Sequence, residues 1–412
     1  ESAEVMEFLK TNLTDLANHY HALYQDEEFA KEQPLNYQEA LAWYREFLSS
    51  FPEDEESPPI NYQLADLLLE NQDFGQAALE YERTAYGYNL HDKADAAGYA
   101  AVYAHREQLK SVSGDARNTQ MRATIDSSLR FAETFQGHEQ APSVLGAAAD
   151  DLYELQEYER AIAAARTLID RYPGVDTALM RSAWIVVAHS SIDIEQYANA
   201  EQAYGRVLDL TAEDDESRVA IVDGLAASIY KQGEEAKTLG DYRAAADHFL
   251  RVKDKAPTSS IRTAAEYDAA AALMQLEDWA MAAGVLEEFR ESHNEHDLAP
   301  EATRQLAFIY RESGELVKSA EEHERIADES SDPELSREAL LVAGDLYEEA
   351  EETERALGLY ERYVGEYPSP LDTALEIRTR MAELYDERGD EALYHDELHR
   401  IVALDRDGGP QR

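Results

Sequence analysis

Few residues in this chain have the types and the spacing that chemistry requires. Two pairs of histidines come closest, because His395 and His399 are four residues apart and His293 and His296 are three apart. Such pairs can share a metal ion, but a zinc site needs three or four protein ligands. We therefore expect two solvated pairs, with no metal and no cofactor.

Catalytic motifs are missing as well. The sequence has no glycine-rich phosphate loop, no His-Glu-x-x-His motif, and no serine or threonine at a recognisable spacing from a base. Cysteine is absent from all 412 residues, which excludes disulfides, thiolate metal sites and cysteine nucleophiles from this sequence. Carboxylate pairs occur everywhere, as they must in so acidic a chain, and their spacing carries no information. We predict no catalytic residues and expect that the protein is not an enzyme.

One short pattern, repeated ten times between Tyr37 and Leu398, predicts the elements of the fold. An aromatic residue or its substitute opens each copy, an alanine usually follows at three, and large or apolar residues follow at seven and ten. These positions share one face of an α-helix. Five of the nine intervals between openers are 37 residues and the others are 38 to 47, a period typical of stacked helix pairs. The openers are Tyr37, Phe74, Met121, Tyr158, Tyr197, Tyr242, Trp279, Leu316, Thr353 and Glu391.

The helix before each opener carries a matching pattern. A small residue usually lies nine positions before the opener and a large one six before, as in Ala270 and Leu273, so that a knob faces a hole. A proline fifteen residues after the opener ends the second helix in four copies, for example at Pro52. The predicted repeats cover residues 1–52, 57–90, 91–138, 141–173, 176–212, 215–257, 259–294, 297–331, 332–368 and 369–405 of one solenoid over 1–412.

Three segments depart from the regular repeat. The interval of 47 residues predicts a long first helix over residues 94–109 that is followed by a Ser-Gly-Asp turn. The interval of 45 residues predicts a first helix that runs about two turns past its usual length, near residues 233–240. Residues 2–26 are predicted to form one amphipathic helix that packs on residues 36–50. Its apolar residues are Val5, Phe8, Leu9, Leu13, Leu16, Tyr20 and Leu23.

The pattern resembles that of the tetratricopeptide repeat (TPR) family, whose repeat of about 34 residues has an alanine, an aromatic residue and a closing proline in the second helix. Trp184 also lies where the family's first-helix tryptophan would be. The resemblance covers residues 35 to 405. It implies an all-α fold, an α-solenoid in which about ten helix-turn-helix repeats form a right-handed superhelix.

The joints between repeats are longer than in the usual TPR, as in residues 172–176 and 367–370, and they resemble those of bacterial envelope TPR proteins. This resemblance implies a periplasmic or outer-membrane-associated protein, with the cytoplasm as the alternative. Because the sequence begins at Glu1 rather than at methionine, we expect a processed piece that lacks any export signal or lipid anchor. No apolar run approaches the roughly 18 residues of a membrane span, so none is expected in this piece.

The charge of the chain restricts its partners. It carries 86 acidic residues against 37 basic ones, a formal net charge of −49, and only nine of the basic residues are lysine. Nucleic acid is excluded as a direct ligand, because phosphate binding needs clustered lysine and arginine. Acid-rich, lysine-poor surfaces resemble those of proteins from salt-loving organisms, and they also suit a basic partner. The sequence leaves both interpretations open.

In TPR arrays the first helices line a concave groove, and the resemblance places groove residues 15, 12, 8, 5 and 4 positions before each opener. The family's clamp for a C-terminal carboxylate uses Lys, Arg and Asn, a set that this chain lacks. The groove instead changes from aromatic and mixed in the early repeats to acidic in the last two. The candidate partner-binding residues are Tyr62, Asp66, Asp150, Tyr153, Ile185, His189, Tyr267, Met274, Arg304, Phe308, Asp345, Glu348, Glu349, Glu383 and Asp386.

These residues predict a non-catalytic protein–protein interaction scaffold that binds a basic segment of a partner in the concave groove, within a bacterial cell-envelope assembly. One alternative is a glycan- or substrate-binding accessory module of an envelope enzyme system, which would use the tyrosines. Another is an assembly part whose convex face or end repeats form oligomers. The salt dependence of binding distinguishes the first two hypotheses, because binding to a charged segment weakens with ionic strength and glycan binding does not.

Overall fold

The computed structural model describes residues 3–89 and 91–405. Over these residues it contains twenty α-helices, one short 3-10 turn (Glu27–Phe29) and no strand. The predicted all-α solenoid of helical repeats is confirmed. The helices are α1 (Ala3–Gln25), α2 (Gln33–Ser50), α3 (Ser57–Glu70), α4 (Phe74–Tyr86), α5 (Ala94–Ser111), α6 (Asp115–Thr134), α7 (Ala141–Glu154), α8 (Tyr158–Arg171), α9 (Thr177–Asp193), α10 (Tyr197–Asp209), α11 (Arg218–Thr238), α12 (Tyr242–Lys255), α13 (Ile261–Gln275), α14 (Trp279–Ser292), α15 (Ala299–Glu312), α16 (Leu316–Glu329), α17 (Pro333–Glu349), α18 (Thr353–Glu366), α19 (Leu371–Arg388) and α20 (Glu391–Leu404).

The chain divides into two compact units, residues 1–218 and 219–412. Helices α1–α10 build the first unit, and α11, which begins at Arg218, opens the second. In the first unit each helix packs against the next one along the chain, and the same is true from α12 to α20 in the second. Helix α11 packs on α12 through Tyr230 and Phe249, whose ring centroids are 5.1 Å apart. Each unit is therefore an array of sequential helix pairs.

The predicted alanine columns lie in the core of both units. The alanine three residues after the opener has no exposed surface in any of the seven copies that carry it, from Ala40 to Ala356. The alanines nine positions before the opener are at most 2% exposed, from Ala65 to Ala382. Because a methyl group occupies little space, the helices approach closely at these points. Their predicted burial is confirmed.

Eight of the ten repeats turn between their two helices through one residue with left-handed backbone geometry. That residue lies two positions before the opener in eight repeats, and its φ is between 56° and 81°. Glycine adopts this geometry without strain, whereas a side chain makes it unfavourable. The turn nevertheless uses glycine in only three of the eight repeats. The eight residues are Gln72, Gln156, Glu195, Gly240, Glu277, Gly314, Glu351 and Gly389.

The irregular repeats place their extra residues in helices. Helix α11 has 21 residues against 14 in α3, α7 and α15, which is about two turns more, as the sequence predicts. Helix α5 ends at Ser111, close to the expected position. Its partner α6 begins at Asp115, six residues before the opener Met121, so the remaining residues lengthen the second helix.

The expected packing of the N-terminal helix is only partly correct. On α1, Leu13 is buried against the core, whereas Val5, Phe8, Leu9 and Leu16 are between 36% and 72% exposed. Helix α1 packs mainly on α2. One neighbour covers a single stripe of a helix, and the apolar residues of α1 occupy a wider arc than that stripe.

Candidate functional site

The first predicted pair, Tyr62 and Asp66, belongs to a small packed cluster on α3. The Tyr81 hydroxyl donates a hydrogen bond to the Asp66 carboxylate, and the rings of Tyr62 and Tyr81 meet edge to face at 5.3 Å. The Lys93 ammonium lies 5.6 Å from the centre of the Tyr62 ring. Burial raises the pKa of Asp66 above its usual value. Contacts within the fold therefore already cover much of the surface of both predicted residues.

A second aromatic cluster joins α7 and α9. The centre of the Tyr153 ring lies 5.7 Å from that of Tyr158 and 6.0 Å from that of His189. The ring centres of His189 and Tyr204 are 5.9 Å apart. Burial lowers the pKa of His189, so its ring is neutral at pH 7. These predicted binding residues pack on one another and leave part of each ring accessible.

Four further predicted residues of the early and middle repeats differ in exposure. Asp150 on α7 is exposed, whereas Ile185 on α9 and Met274 on α13 are partly buried. Tyr267 on α13 is also partly buried, and its hydroxyl accepts a hydrogen bond from the Gln305 side chain on α15. Tyr267 thus connects two successive first helices of the second unit.

Arg304 and Phe308 lie on the exposed side of α15. The phenyl ring of Phe308 is 48% exposed and touches Trp279 at 6.0 Å between ring centres. Arg304 is also exposed and forms an ion pair with Glu301 on the same helix. Both residues border a cavity of about 350 Å³ between α15 and α17.

Uncompensated carboxylates extend along the next two first helices. Glu349 on α17 and Asp386 on α19 are exposed, and neither has an ion pair with any residue that the structure describes. Asp345, one turn before Glu349, is exposed and accepts a hydrogen bond of 2.7 Å from the Tyr360 hydroxyl. These three predicted residues form the acidic face of the second unit.

Glu348 and Glu383 differ from the prediction of an open acidic groove. Arg380 on α19 forms ion pairs with both carboxylates, through Nη2 to Glu348 and through Nη1 to Glu383 at 2.8 Å. Hydrogen bonding to Arg380 is the main reason that the pKa of Glu348 is lowered. Glu348 also accepts a hydrogen bond of 3.2 Å from Tyr360 and is partly buried. Arg380 therefore offsets one of the two negative charges of Glu348 and Glu383 within the fold.

Sequence reasoning missed Arg380 and two exposed tyrosines. Arg380 lies eleven positions before its opener, next to the position twelve that the groove pattern includes. Tyr99 and Tyr103 on α5 are 37% and 49% exposed. They follow Tyr62 and Asp66 by 37 residues, the usual period, but the degenerate opener Met121 hides this relation. Counting the period from the preceding first helix would have found them.

The predicted histidine pairs offer little for chemistry. His395 and His399 are both exposed on α20. Residues 3–89 and 91–405 contain no group of three or more histidine or carboxylate side chains that could hold a metal ion. No helix in the described ranges has the length and apolar character needed to cross a bilayer.

Comparison with protein families identifies the repeat. Models described as tetratricopeptide repeat match residues 147–215 and residues 338–370. The first match covers most of α7 and all of α8–α10, and the second covers α18 and most of α17. The chain therefore contains tetratricopeptide repeats. Repeats of this family indicate a protein–protein interaction scaffold.

Three solved structures illustrate the similarity of this TPR protein to others. One is titled "Structure of Naa15/Naa10 bound to HypK-THB"; it is 13% identical with a TM-score of 0.35 and is matched over 96% of this chain and 64% of its own. YrrB, "a TPR protein with an unusual peptide-binding site", is 16% identical over 50% of this chain and 96% of its own, with a TM-score of 0.28. Pseudomonas aeruginosa PilF is 14% identical over 62% and 99%, with a TM-score of 0.25. No curated protein sequence matches this chain.

Proposed function

We propose that this TPR protein is a non-catalytic scaffold that holds a basic segment of a partner protein against the acidic face of α17 and α19, within a bacterial cell-envelope assembly. The single observation that carries the proposal is the row of exposed carboxylates on these two first helices. The envelope is proposed from the resemblance of the long joints between repeats to those of envelope TPR proteins.

Local charge supports a basic segment over a neutral one. Glu349, Asp386 and Glu387 are all exposed, and none has an ion pair with a described residue. Lysine or arginine side chains of a partner would relieve the mutual repulsion of these carboxylates, and that relief adds to the attraction across the interface. Opposite charges also accelerate the encounter of the two proteins.

The glycan alternative receives less support from the same residues. Binding of a sugar ring to tyrosine needs an open aromatic face. Tyr62 already faces Tyr81 and Lys93, and Tyr153 packs between Tyr158 and His189. These contacts favour a role in packing.

Charge reversal at three positions tests the proposal. The triple variant Glu349→Lys, Asp386→Lys and Glu387→Lys is expected to weaken binding of a fluorescein-labelled peptide of alternating lysine and glycine, measured by anisotropy in 150 mM NaCl. Glu348 and Glu383 are left unchanged, because reversing either would place a lysine beside Arg380. The fold should survive, since changes at exposed positions usually alter stability by about 0.5 kcal/mol or less each.

A matched control separates the acidic face from net charge. Asp254→Lys, Glu354→Lys and Glu391→Lys change the same number of aspartates and glutamates at exposed positions on second helices. Glu361 is not used, because it accepts a hydrogen bond of 2.9 Å from Tyr385. We expect this control to bind the peptide nearly as well as the wild type. Equal losses in both triple variants would mean that only net charge matters and would refute the proposal.

A further inference from the structure

The exposed side chains of α15 place Arg304 and Arg311 beside Phe308, with Glu312 next to Arg311, in a protein with a net charge of −49. Arg304, Phe308 and Arg311 are separated by four and three residues, so they share one face of this helix. Arg304 is compensated by Glu301. The Arg311 guanidinium is exposed and has no hydrogen bond or ion pair within residues 3–89 and 91–405. This face therefore offers a positive charge and an apolar ring side by side.

The same face borders the cavity of about 350 Å³ between α15 and α17, here called the α15 cavity. Its volume is at the low end of the roughly 300–1,000 Å³ of small-molecule sites, which suits one or two side chains. Burial, and then the nearby Arg311, lower the pKa of His323, so that ring adds no positive charge at pH 7. The charged lining consists of Arg304 and Arg311 on α15 and the exposed Glu338 on α17. The apolar lining consists of Ala307, Phe308, Ile326, Leu335, Ala339 and Val342.

We propose that the α15 cavity binds an apolar side chain of the partner segment, and that Arg311 pairs with a carboxylate next to that side chain. The inference rests on the proposed function, because it adds a second anchor on the same segment. A lysine or arginine of the segment next to the apolar side chain would be repelled by Arg311, which has no ion pair of its own within the described ranges. The partner segment thus has an acidic–apolar end over α15 and a basic end over α17 and α19.

Helix spacing sets the distance between the two anchors. Successive first helices are bridged by long side chains, as Arg380 of α19 reaches Glu348 of α17, so we take their separation as about 10 Å, the upper end for packed helices. An extended chain spans about 3.3 Å per residue. A basic residue that reaches α17 is therefore expected about three residues from the apolar anchor, and one that reaches α19 about six residues from it. The charge order along α15, α17 and α19 gives the bound segment a direction.

Labelled peptides of defined sequence test this inference. The probe carries Asp-Leu followed by lysines three and six residues after the leucine, with glycine elsewhere. A second probe has its two lysines first and ends in Asp-Leu. Its C-terminus is either free or amidated, so that the aspartate carboxylate is distinguished from a C-terminal one. In comparison peptides asparagine replaces aspartate, glycine replaces leucine, or lysine replaces both. Binding is measured by anisotropy in 150 mM NaCl.

We expect one of the carboxylate-bearing probes to bind about tenfold more tightly than its neutral and glycine counterparts. Arg311→Glu should remove the preference for the carboxylate, and Phe308→Ala the preference for leucine. Lys318→Glu is the matched control, because Lys318 is an exposed cation in a local ion pair on α16, outside the cavity. It should leave both preferences intact.

The outcomes separate this inference from the proposed function. If the all-lysine peptide binds as tightly as the mixed probes and still depends on Glu349, Asp386 and Glu387, the α15 cavity is not an anchor and only this inference fails. If no peptide binds the wild type, both proposals fail. If Arg311→Glu and Lys318→Glu changed the peptide preferences equally, only the net charge of the protein would matter. That result would also overturn the inference.

Discussion

Gly344→Ala is expected to destabilise the protein, although the same change inside a helix ordinarily stabilises it. Gly344 lies on α17, and a methyl group on its Cα would be 2.5 Å from Cε1 and 3.0 Å from Cδ1 of Tyr360. The Tyr360 side chain is 1% exposed, and its single hydroxyl proton is shared between Asp345 at 2.7 Å and Glu348 at 3.2 Å. The ring cannot move aside without losing packing or a hydrogen bond.

Three effects set the magnitude of this change. Overpacking a buried crossing costs typically about 1–3 kcal/mol. Loss of a hydroxyl hydrogen bond adds about 1 kcal/mol. The higher helix propensity of alanine offsets this by about 1 kcal/mol. We therefore expect the free energy of unfolding to fall by about 1–3 kcal/mol.

Urea unfolding followed by circular dichroism measures the effect, with Gly358→Ala as the control. Gly358 lies on α18, and an added methyl group there would meet no other atom within 4 Å, so this variant should be more stable by about 0.5–1 kcal/mol. In the Tyr360→Leu background Gly344→Ala should cost less than in the wild type, because the smaller side chain makes room for the methyl group. If Gly344→Ala proved as stable as Gly358→Ala, the close approach of α17 and α18 would be refuted.

Four further predictions concern stability. Ala307 is 2% exposed, so Ala307→Leu should overpack its crossing and lower the unfolding free energy by about 1–3 kcal/mol; an unchanged thermal melt would contradict the column assignment. Gln156 has a φ of 61°, so Gln156→Gly should raise stability by about 0.5–1 kcal/mol while Gly314→Gln lowers it; urea midpoints that shift the other way would contradict the left-handed turn. The melting temperature should rise with NaCl from 0.01 to 1 M, because the Debye length shortens from about 30 Å to about 3 Å, and a flat curve would remove the halophile-like interpretation. Burial lowers the pKa of His189 below 6.5, so the unfolded chain binds an extra proton as pH falls from 7 to 5; over this range the wild type should lose stability relative to His189→Gln, and parallel pH curves would refute this.

The repeat pattern predicted the helices because periodicity decides which face of a helix is apolar. Eight of the ten predicted openers are the first residues of their helices, and Tyr37 and Met121 are the exceptions. The alanine columns are buried because each helix pair must hide its apolar face against the next. The left-handed turns were harder to predict from the sequence, because five of the eight have glutamine or glutamate at the position where glycine would have indicated a left-handed residue.

Charge pairing depends on the tertiary structure, because long side chains reach across repeats. Arg380 is separated by 32 residues from Glu348, and only the packing of α17 and α19 brings the two together. The acidic pattern around Glu348 was therefore readable from the sequence, but its partial neutralisation was not. The cavity beside α15 could not be predicted from the sequence either, because its wall combines residues of α15, α16 and α17.

The sequence by itself determined the all-α repeat architecture, the buried columns and the acidity of this protein, since these follow from local periodicity and composition. Only the tertiary structure decided which carboxylates stay unpaired, where an exposed arginine borders an apolar cavity, and which apolar residues of α1 stay exposed. Periodicity assigns each side chain to a face of its own helix. What that face meets is decided by the helices packed against it.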